Sequence, residues 1–551
     1  MRVTPANRSR PVRLVSRWDA AVGETGTASQ HGETGTTGQH NQHNQHNRTA
    51  QPASIAPPPL PPKPEIGSTV NSPQTAALPL AGARARTVVG FLVFCELASG
   101  FTQGFTPPLL KDIAAHLAVS DADITWFLTV QSLSAAVCVP LLSKLGDLFG
   151  HRRLLRIAVV AVLVGTIVTA LVPSYPIALI GRVLVGALSV WLPLEIALVH
   201  TRISGDSARR AIGLLVTFLT GGAILGTFAA GGIALISPSL SLTLLAPSVL
   251  VLIAAFVVFR LVPESPARTA TKVDYVGFAG IAVFMVAALI GLRGAGDTGL
   301  FAPAVVVPLL IAAAVFVGWV LWELRSPAPA VDVRLVASRR VGPVYLAGLC
   351  FGMVMFGGQA QIATFMGSSP GREGYGFEAT AGTISLVIGT ITILATVGAA
   401  LFSVLSARIG IRTVLLVGAF LSAAGNFLVL PLHGSFGGYL IASVVQGLGY
   451  GLLLGALPAR LAELAPAGST GIAAGIYNSL RTLGGALASA VFAAMLGAAL
   501  VPGAEFAGIG GYISIWVFCG AAFVVCFVAL LLVPRETAAE RAAAADPPAA
   551  H

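Results

Sequence analysis

The chain is 551 residues long, 55% hydrophobic and only 10% charged, with a mean hydropathy of +0.83, whereas soluble domains carry roughly 25% charged residues. This excludes a soluble enzyme, a secreted factor and a nucleic-acid-binding domain; the net charge of +10 does not restore the last, because the basic residues sit in short loops between apolar runs. A helix needs about 20 apolar residues to cross a bilayer, and fourteen such stretches lie between Thr87 and Val533, so the expected fold is an all-α integral membrane protein surrounded by lipid.

Residues 1 to 85 are polar and biased, with an HNQHNQHN tract from His40 to Asn47 and a Pro-rich run through Pro64. Such a segment cannot bury enough apolar surface to fold and is expected to be a disordered tail, with no metal assigned to His40, His43 and His46. Six predicted spans then form a bundle over residues 86–262: Thr87 to Leu109, Ile124 to Leu145, Leu154 to Val172, Tyr175 to Leu198, Ala211 to Ile236 and Ser241 to Leu261. Two additional helices, Val276 to Leu292 and Phe301 to Leu321, occupy residues 274–322. A second six-helix bundle fills 341–533: Val341 to Met366, Thr380 to Leu405, Thr413 to Leu432, Tyr439 to Leu457, Gly471 to Leu500 and Tyr512 to Val533. Residues 534–551 read as another tail. Cys95, Cys138, Cys350, Cys519 and Cys526 all fall inside apolar runs without metal spacing and read as buried thiols.

Lys and Arg set the orientation. With a cytoplasmic N-terminus, the outer loops hold only Lys111, Arg293 and Arg372, two arginines, Arg182 and Arg481, lie within spans, and the rest of the 33 basic residues fall inside. An even number of spans keeps Arg84, Arg86 and Arg535 on one side, so both termini are expected in the cytoplasm of a cell-membrane protein. The loop after the second span, SKLGDLFGHRR from Ser143, matches SVLSARIGIRT from Ser403 at Ser143/Ser403, Gly150/Gly410 and Arg152/Arg412. The two sets of six therefore read as copies, the inverted-repeat plan in which rocking one half against the other switches access to a central site.

The same loop, with Asp147, Gly150, Arg152 and Arg153, resembles the signature of the major facilitator superfamily, in particular its fourteen-helix drug:proton antiporters; Ser143 and Leu148 stand at the departing positions. Arg182 and Gly186 match the fourth-span signature, with Val185 in place of glutamine. Gly222, Gly226 and Gly231 resemble the fifth-span antiporter signature, where Thr227 replaces its proline; as residues alone they read as a Gly-x-x-x-Gly helix contact. Asp274, Gly277, Glu323, Arg325, Pro329, Asp332 and Leu335 resemble elements of the fourteen-helix group, and Asn478, Arg481, Gly484 and Gly485 extend the likeness to span thirteen. The resemblance implies a secondary transporter, with Arg182 taking part in proton coupling.

Ionisable residues within spans are costly and usually functional. Glu96 lies about 15 Å along the first helix, with Gly100 and Gln103 on its face; desolvation disfavours a charged carboxylate there, so Glu96 is expected to load and release a proton or handle substrate. The alternative is a Glu that only braces the bundle. Arg182 keeps its charge and is either a modulator of that proton or a fixed interhelical hydrogen-bonder. Glu195, about 140° around the helix from Arg182, is expected to pair with Arg152 or Arg153 rather than line the cavity. Arg481 is expected to pair with Asp147 and gate the inner side.

No phosphate-binding loop is present, His200 and His433 stand alone at span ends, and no cofactor, metal or catalytic site is expected. The reading is a proton-driven exporter of small amphipathic or cationic compounds working by alternating access. The alternatives are an exporter of an endogenous metabolite or siderophore and, from another class, a non-transporting membrane sensor or scaffold.

Overall fold

The computed structural model describes residues 82–533, apart from 201–202, 204, 264–273, 300, 328, 330 and 466–469. The expected tails lie outside the described residues, except that helix already begins at Gly82. Among the described residues, fourteen helices are long and apolar enough to cross a membrane: span 1, Thr87–Leu117; 2, Asp121–Phe149; 3, His151–Leu171; 4, Tyr175–His200; 5, Arg210–Ile236; 6, Leu240–Arg260; 7, Tyr275–Ala295; 8, Pro303–Glu323; 9, Gly342–Gly367; 10, Ala381–Ile409; 11, Ile411–Leu432; 12, Phe436–Leu464; 13, Ala473–Ala498; and 14, Ile509–Leu531. Span 12 runs past the expected Leu457, which adds Arg460 to the arginines within spans; it is buried and pairs with Glu463 at 2.8 Å.

Local chemistry sets the helix starts. Ser120, Ser239, Asp274, Thr380 and Ser435 each accept a backbone N–H of the first turn, satisfying donors that have no partner inside the helix. Gly150 and Gly410, at φ of 103° and 80°, separate spans 2 and 3 and spans 10 and 11; only glycine takes that backbone without strain.

Spans 1–6 and 9–14 pack mainly within their own half, and spans 7 and 8 form a hairpin whose span 7 lies against span 13. Asp274 accepts from Gly277 N–H at 2.8 Å and from Trp322 Nε1 at 3.0 Å, and Trp319 Nε1 donates to the Gly277 carbonyl at 2.9 Å. Asp274 and Gly277 therefore clamp the start of span 7 to the end of span 8.

An even number of crossings returns the chain to the face where it began, the near face; the opposite is the far face. The halves touch through span 2 on span 13 and span 5 on span 10. The largest apolar cluster fills the second half and takes in Phe105, Leu109, Ile113, Ile124 and Phe127 from the far ends of spans 1 and 2. A separate cluster, including Leu92, Leu155, Trp191, Leu215 and Val258, belongs to the first half alone. The main core shared by the two halves thus lies toward the far face, with a smaller cluster of Ala136 on Ala486 at mid-depth.

Candidate transport site

Glu96 and Glu195 are both wholly enclosed, at 0% exposure. Their carboxyls face each other within hydrogen-bond reach, with Cys95 alongside, and neither meets another donor among the described residues. Two carboxylates offer only acceptors, so a hydrogen bond between them requires one proton. This corrects the expected ion pair of Glu195: Arg153 is exposed, and Arg152 donates from Nη2 to the Phe259 carbonyl at 2.9 Å.

The cause is a change of helix type. Residues Gly186–Val190 of span 4 are 3-10 helix, and each advances about 20° more than an α-helical residue. Over five residues this turns Glu195 from about 140° to about 40° from the azimuth of Arg182, back into the bundle. Gly186 permits the break, because a Cβ there would stand 2.5 Å from Ser134 Cβ in span 2. Ser134 Oγ also donates to the Val183 carbonyl at 2.6 Å.

Arg182 stands apart from the acids, roughly 20 Å along the helix from Glu195. It is 4% exposed, donates to Thr106 Oγ1 at 3.2 Å and to Gln131 Oε1, and lies 5.0 Å over the Phe127 ring. Spans 1, 2 and 4 are thereby tied by neutral acceptors. Gln103 donates to Ser99 Oγ at 3.2 Å, one turn back on its own helix, and does not join the acid pair.

The loop signature has a structural reading in both halves. Arg152 Nη2 reaches the Phe259 carbonyl at 2.9 Å and Arg412 Nη2 the Leu531 carbonyl at 2.8 Å; each caps the last turn of its half's sixth helix, where carbonyls lack partners and cations are favoured. Asp147 pairs with His151 Nε2 at 3.1 Å. The expected Asp147–Arg481 pair is not formed: Asp147 ends span 2 at the near face, whereas Arg481 lies well inside span 13 against Phe356 and Tyr477, at 5.2 and 5.8 Å. Gly222 and Gly226 seat span 5 on span 1, reciprocally with Gly100 and Gly104; a Cβ on Gly100 would stand 1.9 Å from the Leu219 carbonyl oxygen, and one on Gly226 2.1 Å from that of Phe101. Gly231 instead meets Gly382 and Ser385 of span 10, in the other half.

A cluster at the far face escaped the sequence reading. Lys111 bridges Asp121 at 3.2 Å in its own half and Glu373 at 3.6 Å in the other. Asp121, 2% exposed, accepts from Tyr512 Oη at 3.2 Å and Ala507 N–H at 3.5 Å, and its own N–H donates to the Glu505 carbonyl at 3.2 Å. Tyr375 Oη donates to the Ala507 carbonyl; burial, together with Asp121 and Glu373, pushes its phenol above the ordinary value, so it stays a donor near neutral pH. Lys111–Glu373, Tyr512–Asp121, Ala507–Asp121 and Asp121–Glu505 thus tie the two halves together here. Lys111 in an otherwise cation-poor loop was the only signal of it in the sequence.

A family model described as Major Facilitator Superfamily matches residues 92–489 and 374–550. The chain belongs to that superfamily. An uncharacterised MFS-type transporter of Mycobacterium tuberculosis is 28% identical over 77% of this chain, which spans only 62% of that relative's length. The probable actinorhodin transporter of Streptomyces coelicolor is 26% identical over 74% of this chain and 72% of its own. Quinolone resistance protein NorB of Staphylococcus aureus is 23% identical over 74% and 87%. Among solved structures, the nucleoside transporter NupG shares the fold with a TM-score of 0.59 at 12% identity, over 81% of this chain and 99% of its own. The chain is thus a multi-pass membrane protein of that superfamily.

Proposed function

We propose that this superfamily member exports small amphipathic compounds in exchange for protons, and that its near face is cytoplasmic. The observation that carries the reading is the enclosed Glu96–Glu195 pair. Sharing one proton, it sits stably in an apolar core; losing that proton leaves a buried carboxylate with no cation beside it, which is costly enough to demand a rearrangement of the half that holds it. Protonation and conformation are linked in this way without any cofactor. With the halves clamped at the far face and sharing no core at the near face, the conformation is the inward-facing member of an alternating-access cycle. The names of the actinorhodin and NorB relatives support export as the direction. The distribution of basic residues supports the orientation and cytoplasmic termini.

Uptake of fluorescent amphipathic compounds into inside-out vesicles tests this. Wild type is expected to concentrate them only when a proton gradient is applied. Glu96→Gln and Glu195→Gln are expected to abolish concentration while retaining gradient-independent exchange. Gradient-driven uptake that survives both substitutions would overturn the reading.

A further inference from the structure

The acid pair is closed off from the space between the halves, so other residues decide what a cargo meets there. Span 13 packs on span 9 through Gly484 and Gly485, where an added Cβ would strike the Leu349 carbonyl at 2.5 Å and Phe356 Cβ at 2.5 Å. It packs on spans 2 and 7 through Leu483, Ala486 and Ala490. Toward the near face, the border of that span 9 contact carries Asn478, Arg481 and Thr482, with the Arg481 backbone itself on span 9, since a Cβ on Gly352 would stand 2.0 Å from its carbonyl oxygen. These residues are exposed or half-exposed, whereas Ser489 and Phe492, farther along the same side toward the far face, are at 0%. Because span 13 packs on span 2 of the other half, polar side chains exposed toward its near face border the junction of the two halves.

Arg481 stands at that junction about 12 Å from the near end of its helix, at the level of Glu96, about 14 Å along span 1. A cation at this depth needs a partner. Arg182 has Thr106 and Gln131; Arg481 has the faces of Phe356 and Tyr477 and no carboxylate among the described residues. Its Nε is buried, so the two Nη groups of the stacked guanidinium are the edge left for two parallel bonds to a carboxylate. At a similar depth in the other half, Glu96 and Glu195 are at 0% exposure and offer a cationic cargo nothing to touch.

We propose that Arg481, flanked by Asn478 and Thr482, is a specificity-determining residue that binds a carboxylate on an amphipathic cargo. This rests on the export reading and replaces the expectation of cationic cargo with an anionic or zwitterionic one.

The test uses purified full-length protein and a panel of amphipathic dyes, each as the free carboxylate and as its methyl ester. Equilibrium binding in detergent is the readout, so that a failure of proton coupling does not obscure it. Wild type is expected to bind the carboxylates at least tenfold more tightly than their esters, the scale of a charge-assisted pair. Arg481→Met is expected to remove that ratio by weakening only the carboxylates. Arg481→Lys should recover part of it, and Asn478→Leu, on the open side of the helix, should lower carboxylate affinity alone. Wild type that binds esters as well as carboxylates, or that binds no carboxylate, overturns the proposal even if no variant folds; so does an Arg481→Met variant that weakens both forms equally.

Discussion

The two halves descend from one plan but are held together differently. In the first half, Arg182 joins three helices through Thr106, Gln131 and Phe127, and an acid pair lies deeper toward the near face. In the second, span 9, interrupted at Gly358 between helices Gly342–Gly357 and Gln359–Gly367, places Phe365 among Tyr375, Phe377, Tyr439, Tyr512 and Trp516, with ring centroids 4.9 to 5.9 Å apart. Aromatic packing is insensitive to protons, whereas a carboxyl pair is not. On the proposed reading the difference teaches a division of labour, in which the first half senses the driving ion and the second supplies a rigid wall.

The sharpest way to break this comparison is a double-mutant cycle on the acids. If they share one proton, Glu96→Gln and Glu195→Gln each remove gradient-driven transport and together do no further harm. Independent losses that add would separate them. Next in size is Phe365→Ala, expected to cost roughly 3–5 kcal/mol of stability as a fully buried ring, read as lowered thermal unfolding, with the proton dependence of residual transport unchanged. A changed proton dependence would erase the distinction between the halves.

Smaller is the far-face clamp. Asp121→Asn or Lys111→Met is expected to shift the population toward outward-facing by about tenfold, since breaking a partly buried pair costs on the order of 1–3 kcal/mol. Accessibility of a cysteine introduced at Ser385, in a variant lacking the native cysteines, reports the shift from the far side. Smallest, Arg152→Ala and Arg412→Ala should each cost about 1 kcal/mol. Equal losses would confirm a device that the halves retain in common.

The fourteen spans, the repeat and the glycine contacts were legible in the sequence because each follows from apolar length or local spacing. The Ser143 and Ser403 loops matched by residue, and the structure returns the match as Arg152 and Arg412 capping equivalent helices. The acid pair was not legible. An ideal helix turns Glu195 away from the bundle, and only the 3-10 stretch at Gly186–Val190, imposed by contact with Ser134 of another span, turns it back. Nor was the far-face clamp, since Lys111, Asp121, Glu373 and Tyr512 meet only once the halves dock.

The central claim is that the Glu96–Glu195 pair carries the driving proton. Proton release on cargo binding to the detergent-purified protein in weakly buffered solution tests it most directly. The account predicts that wild type releases a proton when an amphipathic substrate is added and that the Glu96→Gln/Glu195→Gln variant binds the same substrate and releases none. Undiminished release from that variant would contradict it.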